Sequence, residues 1–242
     1  MFKIADAHSD FLAFHVMGRE GGLYDHADMI RMKRGHIALQ TFAVWVPPHM
    51  PNRLAAGLEQ IKFFHSFIDQ HKEDIICCTQ ASCLKQQSPI KAVLAVESGE
   101  SIDCKNDAIP YVYDKGVRIL SLTWNGENAY ASGSQACGGL KQRGIEAIGP
   151  LNSLNIALDL SHINEQGFWE SLGHYAHAPC ATHSDVYALR QTPRNLKKQQ
   201  IKAIIARDGF IGINFYTEFL RGQTATIDDI LNHVEYVLDC GG

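Results

Sequence analysis

LNIALDLSH, residues 154–162, reads as a short buried strand that delivers a histidine to its end. Its largely apolar run from 154 to 160 suits a strand covered on both faces, and Ser161 and His162 follow where the run stops. The same arrangement recurs on either side. Downstream, CATHS (180–184) closes the run 179–182 with His183. Upstream, AVESGE (95–100) follows the run 91–96 with Glu97, and ADAHSD (5–10) follows 3–7 with His8 and Asp10. Five potential metal ligands thus stand at the ends of four inferred strands. A closed barrel of parallel strands gathers such ends into one mouth, where ligands far apart in sequence can meet.

Three more apolar runs, at 37–46, 117–122 and 210–215, bring the expected strands to seven. Amphipathic segments lie between them. In residues 53–72, Leu54, Leu58, Ile61, Phe64 and Ile68 recur at helical spacing. The last helix should open at Thr226, with Asp229 completing a capping box, run through Ile230, Val234 and Val237, and close at Gly241 and Gly242. Alternating strands and helices predict an α/β chain of the TIM (β/α)₈ type, for which about 250 residues is usual; this chain has 242. No repeat or low-complexity linker divides it, so one domain over 1–242 is expected, with an eighth strand missing. The Gly- and Ser-rich stretch 125–144 is a candidate rim for the active site.

Composition narrows the function classes. With 22 basic and 26 acidic residues the net charge is −4, and basic residues do not cluster, which argues against nucleic acid or an anionic membrane as partner. The first ten residues carry acidic and His side chains where a signal peptide needs its apolar core, so a cytoplasmic protein is expected. Seven cysteines without CxxC spacing are read as free thiols. A GxSxG elbow, a GxxxxGK[ST] phosphate loop and a Rossmann glycine fingerprint are all absent.

His8 and Asp10 are two residues apart, so an extended strand projects both to one side. Glu97 follows an apolar run in which a carboxylate is costly to bury without a cation or several donors. Each residue has a plainer reading: a Glu reaching solvent or an arginine, or a histidine satisfied structurally. Together, three imidazoles and two carboxylates suit Zn²⁺, and a pair of ions with a bridging water would carry out hydrolysis.

The motifs DAHSD (6–10), ESGESI (97–102), LTWNGEN (122–128), LDLSH (158–162), ATHSD (181–185), TPRNL (192–196) and GINFY (212–216) resemble, in order and spacing, the membrane (renal) dipeptidases. These are zinc metallopeptidases of family M19 in the amidohydrolase superfamily. The resemblance implies a binuclear zinc site, with His8 and Asp10 on one ion, His162 and His183 on the other, Glu97 bridging them, and a metal-bridging hydroxide as nucleophile. Asp10 and Glu97 are accordingly the expected catalytic carboxylates. Arg194 is implied to grip the substrate's terminal carboxylate, a task suited to a planar guanidinium. Trp124, Asn128 and Tyr216 are expected to line the substrate site.

The chain departs from the family pattern twice. Trp124 stands where the renal enzyme has a histidine that contacts substrate; Asn125 or Asn128 could supply a neutral donor instead. The acidic residue that the family carries on its eighth strand is not among the 242 residues. The reading expected from sequence is a zinc-dependent dipeptidase acting on short Xaa-L/D-amino acid dipeptides. Its alternatives are a non-catalytic metal-binding remnant, or an amidohydrolase acting on a non-peptide amide, lactone or ester. A homodimer is the expected assembly.

Overall fold

The computed structural model describes residues 3–18, 27–86 and 89–242. Contacts between backbone positions separate the chain into two compact units, Met1–Leu120 and Ser121–Gly242. Both are α/β, with parallel strands.

In the first unit β1 (Ile4–Asp6), β2 (Ile37–Val44), β3 (Ile75–Cys77), β4 (Ile90–Val96) and β5 (Val117–Ser121) form the sheet. β2 lies between β1 and β4 and is parallel to both, pairing Asp6 with Gln40 and running from Leu39↔Lys91 to Val44↔Val96. β4 shares its second edge between β3, opposite Ile90 to Ala92, and β5, opposite Leu94 to Val96. Phe42, Val44, Leu94, Val96 and Val117 are buried, as expected of parallel strands covered on both faces. The helix Arg53–Gln70 lays Ile61, Phe64 and Ile68 into that core, and Phe64 meets Phe42 edge to face with ring centroids 5.5 Å apart.

The second unit holds β6 (Ala157–Asp159), β7 (Cys180–Ala181) and β8 (Phe210–Ile211), parallel and in that order. The helices Gln142–Leu154, Glu165–His174 and Lys198–Ile205 accompany them, burying Leu151, Phe168, Ile201 and Ile204. The last helix, Ile227–Asp239, opens as read: Thr226 N donates to Asp229 Oδ2 at 2.8 Å and the box closes reciprocally.

All seven apolar runs contain a strand, and the structure adds β3, a three-residue strand directly after the charged segment 72–74 and too short to announce itself by periodicity. The run 154–160 begins later than read. Leu154 ends a helix, Asn155 turns the chain at φ 54°, and pairing starts at Ala157. The free-thiol reading is corrected for two cysteines: Cys78 and Cys83 form a disulfide, because a single 3₁₀ turn at Ala81–Lys85 folds the chain back and leaves their Cα atoms 5.7 Å apart. Cys77, Cys104, Cys137, Cys180 and Cys240 remain thiols, outside any disulfide. Among the described residues no helix is long and apolar enough to cross a membrane.

Candidate functional site

In the first unit the ladder carries past the strand ends. Ala43 N donates to Ser9 O at 2.9 Å and Glu97 N to Val44 O at 2.9 Å, so the segments after β1 and β4 flank the end of β2. This brings His8, Asp10 and Glu97 together. His8 Nε2 lies 3.6 Å from Asp10 Oδ1 and 3.5 Å from Glu97 Oε2, and the three offer ligand atoms within 4.8 Å of one another. Glu97 is buried, and Ser101 Oγ donates to its backbone carbonyl at 2.8 Å. Burial disfavours the His8 imidazolium, but the Glu97 and Asp10 carboxylates outweigh it and hold its pKa well above the usual histidine value. Two carboxylates around one imidazole make a site that demands positive charge, which a proton or a divalent cation can supply.

In the second unit His162 and His183, following β6 and β7, meet with their Nε2 atoms 2.7 Å apart. Their other ring nitrogens are engaged: His162 Nδ1 lies 2.8 Å from Asn125 Oδ1, and His183 Nδ1 lies 2.8 Å from Thr182 Oγ1. With each Nδ1 facing an oxygen acceptor, the proton belongs on Nδ1 and both Nε2 atoms present lone pairs. Lone pairs aimed at one another are tolerable only around a proton or a metal ion, and this is the donor set of an imidazole-held cation. The backbone carries strain at both places. His162 sits at φ 69°, and Ser98, directly after Glu97, at φ 68°.

Arg194 is buried beside the second pair of ligands. Its Nη1 donates to Ser184 Oγ at 2.9 Å and its Nη2 to His183 O at 2.8 Å, which fixes the guanidinium in place. Nearby Asp185 is buried as well; burial pushes its carboxyl up to about 7, against the Asn214 backbone N–H and the Arg194 charge.

A family model of the membrane dipeptidases, peptidase family M19, matches residues 1–242. The chain belongs to that family. This M19 chain is 27% identical over 275 residues to a protein of Schizosaccharomyces pombe described as an uncharacterized dipeptidase, covering 99% of this chain and 66% of the relative. A Klebsiella pneumoniae protein is 32% identical over 171 residues, covering 65% of this chain and 63% of its own length. The chain therefore spans just under two thirds of the length of both relatives. Among solved structures, dipeptidase AC, an M19 metallopeptidase, superposes with a TM-score of 0.90 at 25% identity, covering 98% of this chain and 81% of that one. A Rhodobacter sphaeroides metallopeptidase superposes with a TM-score of 0.89 at 24% identity, covering 98% and 82%. The likeness assigns this M19 chain the α/β, TIM-type fold of those structures.

The remaining expected residues of the M19 chain lie in the second unit. The Trp124 ring centroid is 6.2 Å from that of His162. Asn128 is turned into its own loop: its Nδ2 donates to Leu122 O at 2.8 Å, and its Oδ1 accepts from Tyr130 N at 2.7 Å and Ala131 N at 3.1 Å. Tyr216 is exposed, with its ring against Phe219 at 4.9 Å. Asn125, read as a candidate donor to substrate, instead presents its oxygen to His162. Asp159 and Thr182 were not singled out in the sequence, although both stand inside quoted motifs. Asp159 Oδ1 accepts from Ser161 N at 2.9 Å and Thr182 N at 3.0 Å, tying β6 to β7.

Proposed function

We propose that this chain is a zinc-dependent dipeptidase that hydrolyses the peptide bond of short dipeptides carrying a free C-terminal carboxylate. The observation that supports it most strongly is the pair of imidazoles whose Nδ1 atoms are both held by oxygen acceptors, leaving both Nε2 atoms to a cation. Membership of a metallopeptidase family over the full 242 residues supplies the reaction class.

In this reading His8, Asp10 and Glu97 hold one ion, and His162 and His183 hold a second. Zinc held by either group would polarise a scissile carbonyl and lower the pKa of a coordinated water toward neutrality. The protein's own contribution is positioning. Asn125 keeps the His162 ring oriented through its 2.8 Å contact, and Arg194, pinned by Ser184 and His183, offers a fixed planar cation to the substrate carboxylate. Trp124 and Tyr216 provide apolar faces for the side chains of the substrate, and Asn128 shapes the loop that carries Trp124. We place the enzyme in the cytoplasm, as a single-domain chain that assembles as a homodimer.

The Rhodobacter sphaeroides structure is liganded with a phosphinate mimic of the dipeptide L-Ala-D-Ala. L-Ala-D-Ala and L-Ala-L-Ala are therefore the first substrates to assay, alongside the C-terminal amide of each. The reading requires hydrolysis of at least one free dipeptide, abolished by chelation and restored by zinc, with the amides cleaved far more slowly. Equal cleavage of the amides would remove Arg194 as the carboxylate partner. Turnover of esters or lactones in preference to every dipeptide would replace the peptidase reading.

A further inference from the structure

Asp159 is a buried carboxylate on β6 that is not among the expected ligands, yet it is bonded into the wall of the second ligand pair. Its Oδ1 accepts two backbone N–H groups, from Ser161 and Thr182, and its Oδ2 accepts the Thr182 hydroxyl at 2.6 Å. A threonine hydroxyl has a single hydrogen. With that hydrogen directed at Asp159, the oxygen faces His183 Nδ1, 2.8 Å away, only as an acceptor. The imidazole must then carry its proton on Nδ1 and keep a bare Nε2.

We propose that Asp159 and Thr182 form a tautomer lock for His183, in which Asp159 orients the Thr182 hydroxyl and that hydroxyl orients the imidazole for metal. Both are positioning residues. The proposal rests on the metal reading of the previous subsection. The pairing Asp159↔Cys180 sets it up, because the register that aligns β6 with β7 brings the Asp159 carboxylate to the Thr182 amide and hydroxyl at once. Carboxylate–acceptor–histidine chains of this kind set which ring nitrogen is left for the metal.

The decisive variant is Asp159→Asn, which keeps shape and an oxygen for the two backbone donors. Its amide nitrogen would donate to Thr182 Oγ1, turning the hydroxyl hydrogen toward His183 Nδ1 and forcing the imidazole proton onto Nε2. Thr182→Val removes the hydroxyl at nearly constant volume, and Thr182→Ser retains it. Two readouts are needed: zinc affinity by competition with a chromophoric chelator, and the protonation of His183 Nδ1 by long-range ¹H–¹⁵N NMR of the zinc-free protein.

The lock predicts that D159N and T182V each weaken one zinc equivalent by roughly 10- to 100-fold, the usual effect of an outer hydrogen-bond partner. T182S should bind like the wild type, and the D159N/T182V double variant no more weakly than T182V alone. Nδ1 should carry a proton in the wild type and none in D159N. Folded D159N that binds zinc with wild-type affinity, or that keeps its proton on Nδ1, overturns the proposal. A folded wild type that binds no zinc defeats the metal reading instead, and the NMR comparison then still decides the lock.

Discussion

His162 and His183 face each other through their Nε2 atoms at 2.7 Å, while Asn125 and Thr182 hold the Nδ1 atoms from behind. Replacing either histidine takes one of the two imidazole ligands away from the cation they would share. His183→Ala should therefore remove about one of two zinc equivalents from the loaded chain and reduce dipeptide turnover to background. Elemental analysis of the dialysed variant checks the first outcome. An unchanged metal content would mean that the ion is held elsewhere.

The loop bearing Asn125 depends on a glycine. A Cβ at Gly133 would lie 2.0 Å from Trp124 O and 2.6 Å from Asn125 O, both backbone atoms that can yield only by moving the chain. Gly133→Ala should cost about 1–3 kcal/mol as an overpacking substitution. Because the displaced segment carries Asn125, zinc affinity should fall as well. Urea denaturation and chelator competition on the same sample separate the two effects, and a stable G133A protein with lower affinity is the expected result.

Asn125, Thr182 and Asp159 show where sequence reading stops. His8, Glu97, His162 and His183 were legible because a polar residue at the end of an apolar run is conspicuous, and seven such runs in alternation with helices fixed the α/β class. The residues behind the ligands were not, although all stand in quoted motifs. Their roles depend on strand register, as between β6 and β7, and on loop closure, as where Ser134 N reaches His162 O at 2.7 Å. Periodicity carries no information on either. Asn128 illustrates the converse: it reads as a substrate donor by motif, but its side chain closes an Asx-type turn on Tyr130 and Ala131.

His233, on the last helix, gives the fold a pH dependence. It is buried, its Nδ1 accepts from Val186 N at 3.0 Å, and its Nε2 donates to Leu220 O at 3.2 Å. Burial lowers its pKa below 6.5, against the Leu220 carbonyl and the Asp229 charge. A depressed histidine contributes stability that is present above the unfolded-state value and lost as pH falls through the folded one. Asp185 works in the opposite sense. Its carboxyl is raised to about 7, so its contribution is complete at pH below the ordinary aspartate value and disappears as pH rises through about 7. Melting temperatures across pH 4–8 should show the neutral-pH loss vanish in Asp185→Asn and the acid-side loss diminish in His233→Gln.

Phe42 anchors the first unit. It is fully buried on β2, edge to face with Phe11 and Phe64 at centroid distances of 5.5 Å each. Phe42→Ala should destabilise by about 3–5 kcal/mol, because the surrounding strands cannot collapse into the void. The urea midpoint measures this, and a cost under about 1 kcal/mol would show that the site repacks.

The central claim is that two groups of ligands, His8 with Asp10 and Glu97 and His162 with His183, bind metal for dipeptide hydrolysis. Its most direct test is zinc content after loading and exhaustive dialysis of the folded 242-residue chain, with L-Ala-D-Ala hydrolysis assayed on the same sample. The account predicts about two zinc ions per chain and chelator-sensitive turnover. A folded chain that retains no zinc would contradict it.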